Sequence, residues 1–337
     1  MSDTENISID AAIELLARAL KSAGTSEDCS TSVAKALVAA ESEGQVGHGF
    51  SRLSDYVAQA KSGKVNPKAV PICSNEGPAS LIVDAANGFA YPALDLAIPR
   101  CIEAAQEFGC ATAGIIRSHH CGALSLQVEK IAQAGLVGLM VANSPPAIAP
   151  WGASEPVFGT NPIAFAAPRA DGSPLVIDLS LSRVARGKVM NAKKTGQQIP
   201  LGWALDRNGE PTTDPDAALQ GSMIPIGDAK GSALALIVEI LAATLSGANQ
   251  STEISSFFTA EGKPPGAGQF LMALRPTDVT GFTARIEPLL ATITGLEGAR
   301  LPGTRRIAAI ENAKKNGLNV PRHYLDLARE LGASAGA

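Results

Sequence analysis

Apolar residues near the start of the chain recur at helical spacing. Ile13, Leu16, Ala17 and Leu20 fall at i, i+3, i+4 and i+7, and Gly24 supplies a stop. Val33, Ala36, Leu37 and Ala40 repeat the pattern in a second helix, which must end at glycines 44, 47 and 49. Leu53, Tyr56, Val57 and Ala60 mark a third, closed by Gly63. From residue 79 the pattern changes to short β-branched runs at 79–85, 111–117, 136–143, 161–167, 174–180 and 269–275, each read as a strand. Between them lie predicted helices at 92–109, with a kink expected at Pro99, and near 124–134, 184–194 and 231–246. Beyond residue 281 the chain turns helical again, with Ile307, Ile310 and Ala313 on one face and Pro321 opening the last helix. This alternation predicts an α/β core, with the helical ends of the chain packed together as one lobe.

Composition narrows the class. A chain of 337 residues with 45% hydrophobic and 18% charged positions reads as an ordinary soluble globular protein. Its net charge of −4 argues against a nucleic-acid partner. The longest apolar run, LIVEILAATL, is interrupted by Glu239 and is too short for a membrane span, and the start MSDTENISID has no signal-peptide pattern. Five cysteines without C-x-x-C spacing predict reduced thiols and a cytoplasmic location. No G-x-G-x-x-G follows a predicted strand and no P-loop motif occurs, so the standard dinucleotide and nucleoside-triphosphate folds have no support.

The chemistry-bearing residues sit at predicted loops. In EGQVGHGFSRL, His48 lies between Gly47 and Gly49, whose flexibility would allow positive φ and close approach of a ligand. Histidine suits acid–base work near neutral pH, and Arg52 four residues on would hold a carboxylate through two parallel hydrogen bonds. The bland alternative is a capping histidine beside a surface arginine. In RSHHCGAL, His119 and His120 follow a strand, so alternation sends one to a cleft and packs the other. That split, and the lack of further ligands at suitable spacing, argues against a metal site; Cys121 reads as small buried filler. Several loops combine glycine with cations: DLSLSRVARGK with Arg183, Arg186 and Lys188, GDAKGSALAL with Lys230, and RLPGTRR. Each is also readable as a solvated face; together they suggest a phosphate-bearing ligand.

GHGFSRL, NGFAYPALDLAI, RSHHCGAL, FGTNPIAFAAPR, VIDLSLSRVARGK, KGSALALIVEILAATLSG and RLPGTRR, in that order, resemble the malate/L-lactate dehydrogenase family of the non-Rossmann type. The resemblance runs from about residue 8 to 332 and includes the Δ1-piperideine-2-carboxylate/Δ1-pyrroline-2-carboxylate reductases. It implies a family-specific, non-Rossmann NAD(P)-binding sheet domain over residues 118–280, with residues 1–117 and 281–337 as a helical/α-β substrate lobe. It implies hydride exchange between NADPH or NADH and a small carboxylate substrate, usually in a homodimer. Carried over by motif, His48 matches the proton-passing histidine, Arg52 the carboxylate clamp and His120 a second catalytic and substrate-contacting histidine. His120, Cys121, Gly122, Ala123, Leu124, Thr160, Asp178, Leu179, Ser180, Lys230, Gly303, Arg305 and Arg306 match cofactor contacts. The corner Arg186-Gly187-Lys188 would suit the 2′-phosphate of NADPH. Three positions depart from common family patterns: Gly47 replaces a serine, Ala229 a histidine, and Lys188 the aspartate of ketimine reductases. Reduction of a cyclic 2-imino acid is the expected activity. A 2-hydroxyacid dehydrogenase acting on malate, lactate, sulfolactate or ureidoglycolate, and a cofactor-binding protein without turnover, stay open.

Overall fold

The computed structural model describes residues 3–170 and 172–333; the outermost ends of the expected helical lobe, 1–2 and 334–337, lie outside the described residues. The chain opens with β1 (Thr4–Ile7), α1 (Ile9–Lys21), α2 (Glu27–Ser42) and α3 (Leu53–Ser62). Ser8 and Ser26 cap the first two helices by accepting the amides of Ala11 and Cys29, each at 3.3 Å. All three helices end where the glycines predicted, and their apolar faces bury Leu16, Leu37, Tyr56 and Val57 in one cluster with Leu318, Val320 and Leu325 from the end of the chain.

The middle of the chain supplies β2 (Ile72–Gly77), β3 (Ser80–Asp84), α4 (Ala90–Phe108), β4 (Cys110–Ser118), α5 (Ser125–Gln133), β5 (Val137–Ala142), β6 (Ile163–Ala167) and β7 (Leu175–Leu179). Then follow α6 (Arg186–Thr195), β8 (Ala204–Leu205), β9 (Pro211–Thr212), α7 (Pro215–Gln220), β10 (Ser222–Met223), α8 (Ala229–Glu239) with a π-helical turn at Ile240–Thr244, and β11 (Ala267–Leu274). The chain closes with α9 (Val279–Thr294), α10 (Thr304–Asn316), β12 (Leu318–Pro321) and α11 (Arg322–Ala333). Helix α4 runs unbroken through Pro99. The ring removes the donor for the Asp95 carbonyl, but both residues are exposed, so water can serve that carbonyl.

One mixed sheet of seven strands, ordered β2-β3-β4-β11-β5-β6-β7, organises the molecule. Only β3 and β4 pair in parallel, joined by the α4 crossover; the other pairs are antiparallel. The face under α4 and α5 buries Leu94, Ile98, Ile115, Val128 and Leu271. Small side chains on both partners, among them Ala93, Ala97, Ala111 and Ala113, bring helix and sheet together, which accounts for the alanine-rich sequence. The opposite face packs Val141, Phe270 and Val238 into a third cluster. The chain ends meet where β1 pairs antiparallel with β12, so both termini join one lobe.

Two features had no counterpart in the hydrophobic pattern. One is the small β10-β8-β9 sheet, whose strands of two residues are too short to show alternation. The other is a buried carboxylate: Glu239 is 7% exposed and accepts hydrogen bonds from Ser251 N and Oγ (both 2.6 Å) and Asn161 Nδ2 (2.9 Å). Its contacts tie α8 to the Asn161 turn, where the asparagine is held at φ 38°.

Candidate active site

His48 and Arg52 arrive on two consecutive 3-10 turns, Val46–His48 and Phe50–Arg52, between α2 and α3. The flanking glycines do not take left-handed backbone as expected; Gly49 has φ −99°. Glycine is required at 49 by crowding: a Cβ there would lie 2.0 Å from Glu41 Oε2, the carboxylate oxygen that accepts the Phe50 amide at 3.0 Å. Gly47 faces open space, so nothing steric demands it.

His119 and His120 follow β4, and their side chains separate. His119 is 1% exposed inside a cage of Tyr56, Phe89 and Phe257, with neither ring nitrogen hydrogen-bonded. His120 turns the other way and stacks on His48, ring centroids 5.2 Å apart and planes 19° from parallel. Two histidines seventy-two positions apart in sequence thus form one site.

Hydrogen-bond accounting fixes the His120 tautomer. Tyr56 Oη lies 2.6 Å from His120 Nδ1 and 3.1 Å from Tyr91 Oη. Burial raises both phenol pKa values well above their usual range, so both hydroxyls keep their protons. Among the described residues the Tyr91 hydroxyl has no other partner, so a satisfied chain runs with Tyr91 donating to Tyr56 and Tyr56 donating to Nδ1. His120 then carries its proton on Nε2. Gly122 completes the corner with φ 68°; a Cβ there would meet Tyr91 Oη at 2.6 Å.

Electrostatics keep both imidazoles neutral. Burial first, and the Arg52 cation second, lower His48 to about 3. The same two causes, with the neighbouring histidines, push His120 well below its ordinary value. Arg52 donates from Nε to Gly47 O at 2.8 Å, its guanidinium carbon lies 4.5 Å from the Phe258 ring centroid, and Nη1 is buried without a partner. One edge and one face of the guanidinium are therefore occupied. The terminal nitrogens remain for a ligand carboxylate, a two-pronged arrangement this group favours.

The other sequence candidates gather in two places. Asp178, at the end of β7, accepts the Ser125 amide at the start of α5 at 2.8 Å, so it borders the Cys121–Leu124 corner. Burial raises its pKa. The Gly303 turn lies against β7, where a Cβ would approach Val176 O to 2.9 Å. Arg305 is exposed there, whereas Arg306 is drawn inward to a buried ion-pair cluster with Glu43 and Glu129. Ser125 Oγ donates to Glu43 at 2.6 Å, so this cluster also braces the start of α5. Thr160 lies 3.5 Å from Ser144 across their hydroxyls, and its carbonyl accepts the Leu181 amide just beyond Leu179 and Ser180. Arg186 donates to Pro146 O at 3.1 Å; Gly187, Lys188 and Lys230 are exposed. Arg183 pairs with Asp228 on a cavity of about 700 Å³ that no histidine lines. No group of three or more His, Cys, Asp or Glu is placed to hold a metal among the described residues.

Tyr56, Tyr91, Phe257, Phe258 and Glu43 were not singled out by sequence. The available signals were a hydroxyl on the otherwise apolar face of α3 and adjacent phenylalanines in a chain with 4% aromatics.

Comparison with known proteins identifies the family. A family model described as malate/L-lactate dehydrogenase matches residues 7–327. The (2R)-3-sulfolactate dehydrogenase (NADP(+)) of Chromohalobacter salexigens is 46% identical over 97% of this chain and 98% of its own. The Δ1-piperideine-2-carboxylate reductase of Pseudomonas syringae pv. tomato superposes with a TM-score of 0.92 at 40% identity, covering 97% of this chain and 100% of that one. Sulfolactate dehydrogenase from Methanocaldococcus jannaschii superposes at 0.90 with 28% identity, covering 98% of each chain.

Proposed function

The chain belongs to the malate/L-lactate dehydrogenase family of NAD(P)-dependent oxidoreductases, and on that premise we propose that it reduces a small cyclic 2-imino acid of the Δ1-pyrroline-2-carboxylate or Δ1-piperideine-2-carboxylate type. The observation that carries this reading is the pair of stacked, neutral imidazoles with no carboxylate hydrogen-bonded to either ring among the described residues. A ketone needs a proton as its oxygen turns into an alkoxide, and neutral imidazole is a weak acid. A protonated imine brings its own proton and asks only for an acceptor for its N–H, which the lone pair of a neutral imidazole supplies. Arg52 anchors the substrate carboxylate through its terminal nitrogens with His120 Nε2–H as a further donor, and neutral His48 faces the reacting nitrogen and accepts from its N–H. Bound reduced nicotinamide supplies the hydride.

The residues present fit such a cofactor. The Cys121–Leu124 corner offers backbone beside Asp178, and Leu179, Ser180, Thr160 and Gly303 border the same region. Lys188, Lys230 and Arg305 are exposed cations without an ion-pair partner among the described residues, which supports a phosphate-bearing ligand and a preference for NADPH. In this assignment Arg306 acts from behind the turn, through Glu43 and Glu129. The reading includes a cytoplasmic homodimer. All five cysteines are free thiols, and Leu236, Ile237 and Ile240 expose 47%, 51% and 47% of their surface along α8 and its π turn, an apolar face suited to a second copy. No helix is long and apolar enough to cross a membrane among the described residues.

One observation favours a second reading. Lys188 in the first turn of α6 is a free cation that would serve the second anionic group of a 2-oxo acid such as 3-sulfopyruvate. Consumption of NADPH and NADH with Δ1-pyrroline-2-carboxylate, Δ1-piperideine-2-carboxylate, oxaloacetate, pyruvate and 3-sulfopyruvate separates the two. Turnover of the cyclic imines supports the first reading; turnover of ketones with neither imine overturns it.

A further inference from the structure

Residues 256–260 form a strap held by a mode unusual for a loop: side chains from one distant stretch donate to its carbonyls. Gln59 Nε2 reaches Phe257 O at 2.9 Å and Thr259 O at 3.1 Å. Lys64 Nζ reaches Ser256 O at 2.6 Å and Thr259 O at 3.0 Å, and Ser62 Oγ reaches Ala260 O at 2.8 Å. Gln59 and Lys64 are 0% and 2% exposed, so these bonds form away from competing water.

The strap carries two aromatic rings into the site. Phe257 is buried, its ring centroid 5.4 Å from that of His120. Phe258 is 38% exposed, and the Arg52 guanidinium carbon sits over its ring. The negative face of an aromatic ring attracts a guanidinium and leaves its in-plane donors free. Gly47 O holds the Nε edge, so ring and carbonyl both contact a guanidinium whose Nη1 is buried and unpaired.

We propose that Phe258 is a positioning residue for the Arg52 carboxylate clamp, held in place by the Gln59 and Lys64 bonds to the strap. This rests on the reading of Arg52 given above. Without the ring, the guanidinium regains rotamers that it must give up again to bind the carboxylate. The loss falls on ground-state binding of the carboxylate.

The test uses the panel substrate that the wild-type protein turns over fastest, with saturating NADPH. Phe258→Leu is expected to raise KM for that carboxylate about 2- to 30-fold, the span set by a cation–π contact from exposed to desolvated. The change in kcat stays under twofold, KM for NADPH and thermal stability stay at wild-type values, and Phe258→Tyr restores the carboxylate KM. A merely structural ring would lower stability and disturb both KM values together. Arg52→Ala separates the two levels of inference. If it raises the carboxylate KM while Phe258→Leu does not, the positioning role is overturned and the clamp stands. If Arg52→Ala leaves that KM unchanged, or if no panel carboxylate turns over, both are overturned.

Discussion

Replacing Tyr56 by phenylalanine removes one oxygen atom and nothing of the ring that packs on Phe89 and His119. Two buried groups lose their partner, His120 Nδ1 and the Tyr91 hydroxyl. Leaving a buried polar group unpaired costs about 1–3 kcal/mol, so the pair should lower folding stability by about 2–6 kcal/mol. The catalytic effect is separate. The Tyr56 bond holds the His120 proton on Nε2, and losing its net worth of about 1–1.5 kcal/mol shifts the tautomer ratio about tenfold towards the wrong form, lowering kcat. Tyr91→Phe tests the direction of the chain. It removes the outer donor but leaves Tyr56 donating to Nδ1, so stability falls while kcat stays within twofold. Steady-state kinetics at saturating NADPH, beside thermal unfolding of each variant, read both quantities. A Tyr56→Phe protein that keeps wild-type kcat, or a Tyr91→Phe protein that loses as much kcat as Tyr56→Phe, refutes the hydrogen-bond order.

Three further outcomes follow from the same structure. Arg306→Met leaves Glu43 and Glu129 facing each other without their shared cation, and should destabilise the fold by about 3–5 kcal/mol in denaturant titrations; a rise in KM for NADPH with unchanged stability would instead make it a direct cofactor ligand. His119 is lowered to about 3 by burial, so below its ordinary value of 6.5 the unfolded chain takes up a proton that the folded one refuses. Its stabilising contribution is full above pH 6.5 and lost at about 1.4 kcal/mol per pH unit as pH falls towards 3; His119→Leu should flatten that part of the stability curve, and equal pH slopes for the two proteins contradict it. In the proposed homodimer, Ile237→Lys places a charge on the apolar α8 face and should turn dimer into monomer in sedimentation runs; an unchanged dimer overturns that interface, and a monomeric wild-type protein overturns the dimer.

Much of this was legible in the sequence because it rests on local periodicity. Leu16, Leu37 and Val57 point inward because helices α1–α3 each bury one face. Strand alternation split the two histidines, and the family resemblance assigned His120 to the cleft. Pairings between distant segments left no local trace. The β1–β12 ladder joins residues over three hundred positions apart, and the strap carrying Phe258 is fixed by side chains nearly two hundred positions earlier. Tyr56 was read as core because its ring is core; only the placement of His120 gives its hydroxyl a task. Nothing in RLPGTRR reveals that Glu43 and Glu129 lie behind the turn and pair with Arg306.

The central claim is that Arg52 anchors a carboxylate so that hydride reaches the adjacent carbon. Its most direct test is a turnover with NADPH deuterated at the transferring position and Δ1-piperideine-2-carboxylate, with the product read by mass spectrometry. The account predicts one deuterium on the carbon bearing the carboxylate, and strong loss of that product in Arg52→Ala at the same substrate concentration. Product without deuterium at that carbon, or an undiminished yield of labelled product from the Arg52→Ala protein, would contradict it.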